Sequence, residues 1–277
     1  MPARSAVLVP PRASSFPPVV ALHGLLGAPA SMGPLAEALA WPGGVLAPVL
    51  PGHGLSPGPV PASFDAAVEE LALSIPRGAL LLGYSFGGRL AIALAARPSS
   101  AIRGALVVGA HLGFLSDTER ALRVAWEDEM AQHLRSGDLA SFVDRWERLE
   151  VFETQRALAP ELVAAQRRVR LGHQPAAIAE VFERLGTGRM PDLRPRLREL
   201  ALPLTHVAGS LDPRYVAMGL EAAALSPRIE AVVVERVGHN LTLEAPEELA
   251  KIASARFRSW VSEARKSEPG VMDGAGR

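Results

Sequence analysis

The sequence contains no cysteine, which excludes disulfide bonds, thiolate metal sites and a thiol nucleophile. It has little lysine, since only Lys251 and Lys266 accompany the arginines among its 29 basic residues. It also has no excess of either charge, because 29 Asp and Glu residues bring the formal net charge to zero. Nucleic-acid binding relies on surplus cations that neutralise phosphates, so a nucleic acid is not expected as a partner.

Long hydrophobic runs are missing as well. The longest apolar stretches have the length of a strand, well below the ~18 residues that a membrane-spanning helix needs. Residues 1–4 are followed by only a short apolar run that Pro10 and Pro11 interrupt, a pattern that does not predict a signal peptide. With 277 residues, 48% of them hydrophobic and 21% charged, the composition predicts a folded cytoplasmic protein without a membrane partner.

Short apolar runs that end in turns alternate with helical patterns along much of the chain. This alternation is typical of an α/β fold with a mostly parallel central sheet flanked by helices. We predict strands at residues 18–22, 45–50, 79–82, 102–108, 204–208 and 231–237, after a short apolar run at 6–9. We predict helices at residues 31–40, 64–75 after an N-cap at Ser63, 86–96, 215–225 and 246–264.

The alternation stops between residues 111 and 198, where the patterns are helical and rich in arginine. We interpret this segment as a helical cap inserted into an α/β core that consists of residues 1–110 and 199–266. Residues 267–277 are small, polar and rich in glycine, and we expect them to form a disordered tail.

The segment Gly83-Tyr84-Ser85-Phe86-Gly87 fits the pattern G-x-S-x-G. Five residues match such a pattern by chance fairly often, and a plain glycine-rich turn with a solvated serine is the alternative. The context favours a nucleophile elbow, because a predicted strand ends at Leu82 and a predicted helix begins at Phe86. Ser85 is therefore a candidate catalytic residue.

Serine needs a histidine that accepts its proton, and the order in this kind of site is serine, acid, histidine. Asp212 and His239 fit that order, and each follows a predicted strand, at the sheet edge that also carries Ser85. Taken alone, Asp212 could be an Asp-Pro turn residue and His239 a loop histidine. Their joint occurrence predicts a Ser85–His239–Asp212 triad.

An oxyanion hole requires backbone N–H groups that face a developing negative charge. We expect one from Phe86, directly after the serine, and one from Leu25 in the loop after the 18–22 strand. We interpret His23 and His53, each next to a turn glycine, as residues that order loops. The remaining histidines have no paired metal-ligand spacing, so no metal is expected: these are His111, His133, His173 and His206.

These motifs together resemble the α/β-hydrolase superfamily over about residues 18–264. The motifs that carry this resemblance are His-Gly-x-x-Gly at 23–27, Pro-Gly-His-Gly at 51–54, the G-x-S-x-G elbow, Asp212 and Gly238-His239. Within it, segment 83–91 is similar to the elbow of the 2-succinyl-6-hydroxy-2,4-cyclohexadiene-1-carboxylate synthases of menaquinone biosynthesis. The likeness extends through the cap, at residues 119–128, 142–152, 166–170 and 190–193, although Glu147 follows Trp146 where that family has an aromatic residue.

The resemblance implies a lyase that eliminates pyruvate from a small ring with several carboxylates, without a metal or organic cofactor. It implies that Ser85, activated by His239 and Asp212, removes a ring proton. It also implies substrate contacts from the elbow and the cap: these come from Tyr84, Arg89, Arg123, Trp146 and Arg170. Bidentate arginines would supply charge and orientation to a polyanion, whereas by pattern alone these side chains are typical of amphipathic surfaces and cores.

Two other functions stay open at this point. One is a serine carboxylesterase or carbon–carbon bond hydrolase, in which Ser85 attacks an acyl carbon. The other is a non-catalytic relative that serves as a ligand receptor or scaffold, although such proteins usually lose a triad residue.

Overall fold

A computed structural model describes residues 5–55, 58–98 and 100–267 of the chain. Within them seven strands form one sheet in the order β1-β3-β2-β4-β5-β6-β7. The strands are β1 (Ser5–Val9), β2 (Val19–Leu22), β3 (Val45–Pro48), β4 (Leu80–Tyr84), β5 (Gly104–Val108), β6 (Leu204–Gly209) and β7 (Ile229–Val234). Only β1, at the edge, pairs antiparallel, with β3, and the other neighbours are parallel. The predicted α/β fold class is confirmed.

Both faces of the sheet are covered, which explains why its central strands are apolar at every position. β2, β4 and β5 are buried throughout, as expected for parallel strands between two layers of helices. Successive residues of a strand point to opposite faces, so Leu81 and Val107 join one core while Leu80 and Leu106 join the other.

Eleven α-helices and two 3₁₀-helices accompany the sheet in the described part of the chain. The α-helices are α1 (Gly33–Leu39), α2 (Phe64–Ala72), α3 (Phe86–Ala95), α4 (Asp117–Arg135), α5 (Leu139–Glu147), α6 (Pro160–Arg170), α7 (Pro175–Leu185), α8 (Arg194–Arg198), α9 (Pro213–Leu225), α10 (Leu241–Glu244) and α11 (Pro246–Ser267). The 3₁₀-helices are Pro29–Met32 and Glu150–Ala157. α1 and α11 pack on one face of the sheet, while α2, α3 and α9 pack on the other.

Several predicted boundaries differ from the observed ones by one to three residues, including those of two helices and the last strand. The helix expected at 31–40 is a 3₁₀-helix followed by α1, since Pro29 and Pro34 each favour a new helical start. The last strand is Ile229–Val234 rather than 231–237, because its pairing partner β6 spans that register from Leu204 to Gly209. The final helix continues to Ser267, and residues 268–277 of the expected tail lie outside the described residues.

The chain between β5 and β6, described in full, contains α4 to α8 and a 3₁₀-helix but no strand. Its helices share an apolar cluster rich in aromatic residues, which includes Phe142, Trp146 and Phe182. Leu26, in the loop after β2, belongs to the same cluster. The cap therefore packs directly against a loop at the carboxyl edge of the sheet.

Candidate active site

Ser85 occupies a strained turn between the end of β4 and the first residue of α3. Its φ of +51° and ψ of −107° are unusual for a residue with a side chain. The turn is tight, because a Cβ on Gly83 would lie 2.5 Å from the carbonyl oxygen of Gly87. A Cβ on Gly87 would collide with the carbonyl oxygen of Leu22. The backbone N–H of Ser85 donates to the Val108 carbonyl at 2.8 Å, which anchors the strained residue to β5. Small residues are therefore required on both sides of the serine.

The structure brings together the three side chains expected to form the triad. His239 Nε2 lies 3.2 Å from Ser85 Oγ, and His239 Nδ1 lies 2.7 Å from Asp212 Oδ2. Because a carboxylate only accepts, Nδ1 carries the proton and Nε2 offers its lone pair to the serine hydroxyl. Asp212 follows β6 and His239 follows β7, so parallel strands deliver all three groups to one edge of the sheet.

Aromatic rings enclose the imidazole of His239. The ring of Tyr215 lies 4.6 Å from that of His239, and those of Tyr84 and Phe152 lie 5.4 and 6.4 Å away, measured between ring centres. His239 is 4% exposed, so its hydrogen bonds face little competition from water. Tyr215 was not expected from the sequence, and its position three residues after Asp212 was the one available signal.

The amides of Leu25 and Phe86 form no hydrogen bond with a described residue, whereas the amide that follows each of them does. The next N–H after Leu25, that of Leu26, donates to His53 Nε2 at 3.1 Å. The next N–H after Phe86, that of Gly87, donates to the His23 carbonyl at 3.1 Å. The two amides left over are the pair expected to form an oxyanion hole, and Leu25 lines the same cavity as Ser85.

Three neutral histidines hold the loops around this hole. His23 Nε2 accepts from the Leu50 N–H at 3.2 Å, and its Nδ1 lies 2.9 Å from the Gly24 carbonyl. His53 packs on His23 with ring centres 4.9 Å apart, and His173 of the cap packs on His53 at 5.3 Å. Burial lowers the pKa of His23 to about 4 and that of His53 well below its usual value. Their geometry agrees with the loop-ordering role interpreted from the sequence.

The low pKa of His23 predicts a loss of stability in mild acid. The unfolded chain takes up a proton on His23 near pH 6.5, whereas the folded protein does so near pH 4, so the free energy of unfolding falls as pH drops between these values. The loss attributable to His23 is on the order of 3 kcal/mol at the lower end of that window. Denaturant unfolding at several pH values measures it. A His23→Gln variant should show a shallower pH dependence, and equal slopes in both proteins would contradict the prediction.

A cavity of about 940 Å³ opens above the triad, between the core and the cap. Its wall includes every residue expected to contact substrate: Tyr84, Arg89, Arg123, Trp146 and Arg170. The indole Nε1 of Trp146 is buried and has no hydrogen-bond partner among the described residues. Two glutamates, Glu150 and Glu153, also line the cavity, and both are exposed to solvent.

Arg89 is buried in the core side of the cavity. It follows Ser85 by one turn of α3, and its Nη1 donates to the Leu185 carbonyl at 3.1 Å. Burial lowers its pKa to about 10, which still leaves the guanidinium charged at neutral pH. Among the described residues it has no carboxylate partner, so its charge is available to a ligand.

The two cap arginines are each paired with a glutamate. Arg123 Nε donates to Glu127 Oε1 at 2.8 Å, and Arg170 Nη1 donates to Glu147 Oε1 at 2.9 Å. Glu127 is fully buried and lies four residues after Arg123, a helical spacing that could have indicated the pair from the sequence. Glu147, where the resembling family has an aromatic residue, orients Arg170 in this chain. Both partners were missed in the sequence analysis.

Residues 5–55, 58–98 and 100–267 contain no group of three or more His, Asp or Glu side chains arranged to hold a metal ion. In the same residues no helix is long and apolar enough to cross a membrane.

Known proteins are similar to this chain in both sequence and fold. Residues 19–252 match the alpha/beta hydrolase family. The 2-succinyl-6-hydroxy-2,4-cyclohexadiene-1-carboxylate synthase of Serratia proteamaculans is 30% identical over 84% of this chain and 90% of its own length. The protein of the same name from Pectobacterium atrosepticum is 29% identical over 89% of this chain and 94% of its own.

A solved structure is similar over almost the whole molecule. MenH from S. aureus superposes with a TM-score of 0.86 at 25% identity, covering 95% of this chain and 98% of that one. The match includes the cap, where a shared core fold alone would not require similarity. The chain therefore belongs to the alpha/beta hydrolase family, in the branch that contains the 2-succinyl-6-hydroxy-2,4-cyclohexadiene-1-carboxylate synthases.

Proposed function

We propose that this enzyme eliminates pyruvate from 2-succinyl-5-enolpyruvyl-6-hydroxy-3-cyclohexene-1-carboxylate to give 2-succinyl-6-hydroxy-2,4-cyclohexadiene-1-carboxylate. The observation that carries the proposal is a serine triad at the base of a cavity whose wall presents the buried charge of Arg89 together with Arg123 and Arg170. A small polyanion is the ligand class that such a wall suits, because bringing carboxylates out of water is costly unless cations meet them.

The charge of the wall does not come equally from its arginines. Glu127 and Glu147 offset part of the charge on Arg123 and Arg170, while they also hold each guanidinium in place. Arg89 forms no ion pair with a described residue, although the charge of Glu127 also acts on it. The paired arginines thus act as fixed donors with little loss of side-chain entropy on binding, and Arg89 supplies the unbalanced charge.

In the proposed reaction Ser85 serves as a base. Asp212 fixes His239 with Nε2 facing the hydroxyl, so the imidazole takes the serine proton while Ser85 Oγ removes the ring proton next to the succinyl carbonyl. The electrons of that C–H bond move first towards the carbonyl oxygen, where the Leu25 and Phe86 N–H groups stabilise the negative charge. They then form a double bond between C2 and C3, the existing C3–C4 double bond shifts to C4–C5, and the C–O bond from C5 to enolpyruvate breaks. The departing enolpyruvate regains a proton and becomes pyruvate, which balances the reaction.

The test compares two substrates. Purified protein is incubated with the enolpyruvyl substrate, with pyruvate release followed by lactate dehydrogenase and NADH, and separately with a p-nitrophenyl ester. We expect kcat/KM for pyruvate release to exceed that for the ester by at least about 100-fold, the scale on which binding energy separates substrates. Rapid ester turnover without pyruvate release, or an acyl group trapped on Ser85, would instead identify an esterase or a carbon–carbon bond hydrolase.

Arg89→Gln is expected to raise KM for the enolpyruvyl substrate by about 10- to 100-fold, since a charge-assisted contact contributes about 1.5–3 kcal/mol. The glutamine retains a donor for the Leu185 carbonyl but loses the positive charge. Steady-state kinetics and thermal unfolding measure the two effects. Arg228→Gln is the matched control, because Arg228 is exposed at the opposite edge of the sheet, before β7. An unchanged KM in Arg89→Gln would remove Arg89 from the binding site.

A further inference from the structure

His111 and Arg214 lie at the boundary between the active-site cavity and a second cavity of about 600 Å³. Both residues line both cavities. His111 follows the end of β5, and Arg214 lies two residues after Asp212, at the start of α9. Neither residue has a part in the triad, the oxyanion hole or the arginine contacts described above.

The imidazole of His111 faces a hydrogen-bond donor on each side. Its Nδ1 lies 3.0 Å from the N–H of Gly113, and its Nε2 lies 3.1 Å from Nη2 of Arg214. Burial, followed by the charge of Arg214, lowers the pKa of His111 to about 2, so the ring is neutral at physiological pH. A neutral imidazole has one lone pair and one N–H, and a guanidinium cannot accept. One of the two contacts therefore sets a donor against a donor.

The backbone decides which contact is the genuine hydrogen bond. Gly113 has a φ of +100°, and the space beside its Cα is filled by the backbone of Pro191 and Asp192. Its N–H is thus fixed on Nδ1, which must accept, and the proton of the ring resides on Nε2. The Nε2–H and the exposed guanidinium of Arg214 then converge on the same space, where neither finds an acceptor among the described residues.

The side chain of Arg214 has no carboxylate partner in the described part of the chain, and its one polar contact there is with Nε2 of His111. Residue 215 connects this pair to the catalytic centre, because the Tyr215 ring lies 4.6 Å from that of His239 and 6.4 Å from that of His111. An acceptor placed between Nε2–H and Arg214 would sit at the boundary of the reaction cavity.

We infer that His111 and Arg214 form a carboxylate-binding site at the edge of the active-site cavity, in which one carboxylate oxygen accepts from both Nε2–H and the guanidinium. The inference rests on the proposed function for its ligand, a carboxylate of the intact substrate or that of released pyruvate. Either source places an acceptor between Nε2–H and the guanidinium, and it turns an unfavourable donor–donor contact into two charge-assisted bonds.

Steady-state kinetics of Arg214→Gln distinguish the two sources. If the site holds a substrate carboxylate, KM rises about 10- to 100-fold while kcat changes less than about 3-fold. If it holds pyruvate, the inhibition constant of added pyruvate rises about 10-fold at an unchanged KM. Arg214→Lys should recover part of either effect. Values of KM and of the pyruvate inhibition constant that equal those of the Arg228→Gln control would overturn the inference.

Two measurements do not depend on turnover. Titration calorimetry with succinate should show binding to the wild-type protein that Arg214→Gln weakens by at least about 10-fold and Arg228→Gln does not. Two-bond ¹H–¹⁵N NMR, with His111→Gln for assignment, should show His111 protonated on Nε2. Protonation on Nδ1 or an unaltered succinate affinity would refute the site.

The outcomes separate this inference from the proposed function. Loss of succinate binding in Arg214→Gln, in a wild-type protein that releases no pyruvate, would support the carboxylate site and reject the lyase. Normal pyruvate release with unchanged carboxylate binding in Arg214→Gln would reject the site and leave the lyase intact.

Discussion

Ser85→Ala is expected to lower kcat for pyruvate release by about 10²- to 10⁴-fold, the contribution of a positioned general base. Ser85 Oγ lies 3.2 Å from His239 Nε2, and alanine leaves the imidazole with no hydroxyl to activate. KM should change little, because the arginines that would hold the carboxylates remain. Pyruvate release under single-turnover conditions measures the chemical step directly.

The Ser85→Ala variant also distinguishes catalysis from a receptor function. Alanine keeps the Cβ of serine in the turn with φ of +51°, so thermal unfolding should match the wild type. A folded variant that binds substrate and has lost turnover supports a catalytic serine. A variant that keeps every measured activity would favour a non-catalytic receptor or scaffold.

Asp212→Asn is expected to lower kcat by a similar factor, about 10²- to 10⁴-fold, for a different reason. The carboxylate accepts from His239 Nδ1–H at 2.7 Å and so keeps the lone pair of Nε2 on the serine. An asparagine amide can donate to Nδ1 and stabilise the opposite tautomer, in which Nε2 carries the proton and cannot act as a base. Steady-state kinetics of pyruvate release measure the loss.

The double variant Ser85→Ala, Asp212→Asn provides the sharper test. If Asp212 acts only through Ser85, its replacement causes no further loss of kcat once the serine is gone. The double variant should therefore be about as slow as Ser85→Ala alone. Asp65→Asn is the matched control. Asp65, on α2, forms an exposed ion pair with Arg196 on α8, so its replacement should leave kcat unchanged. Multiplicative losses in the double variant would mean that Asp212 acts independently of the serine.

Parts of the site were predictable because they depend on local pattern and on sheet geometry alone. Ser85, Asp212 and His239 each follow a strand, and parallel strands bring their carboxyl ends to one edge whatever the packing around them. The N-cap at Ser63 was predictable for a similar reason, since its hydroxyl accepts from the Ala66 N–H at 3.2 Å. Chain pattern over a few residues is sufficient for such features.

The charges of the cavity were less predictable. Arg123 and Arg170 both lie on helices rich in arginine, and helical periodicity does not tell a buried face towards a cavity from a solvated one. Glu127 lies four residues after Arg123 on α4, a spacing that indicates the pair. Glu147 lies 23 residues before Arg170, and only the packing of α5 against α6 brings these two side chains together. The strand boundary at Val234 was missed because pairing with β6, a distant segment, fixes it.

The sequence by itself determined the α/β architecture, the elbow and the order of the catalytic groups, since these follow from hydrophobic periodicity, turn chemistry and the direction of parallel strands. The tertiary structure alone decided which amides near Ser85 are left without a partner, which arginines keep an unbalanced charge, and that His111 meets Arg214. Those properties depend on contacts between residues up to about a hundred positions apart. Hydrogen-bond satisfaction and charge compensation are set by three-dimensional neighbours, which no local pattern encodes.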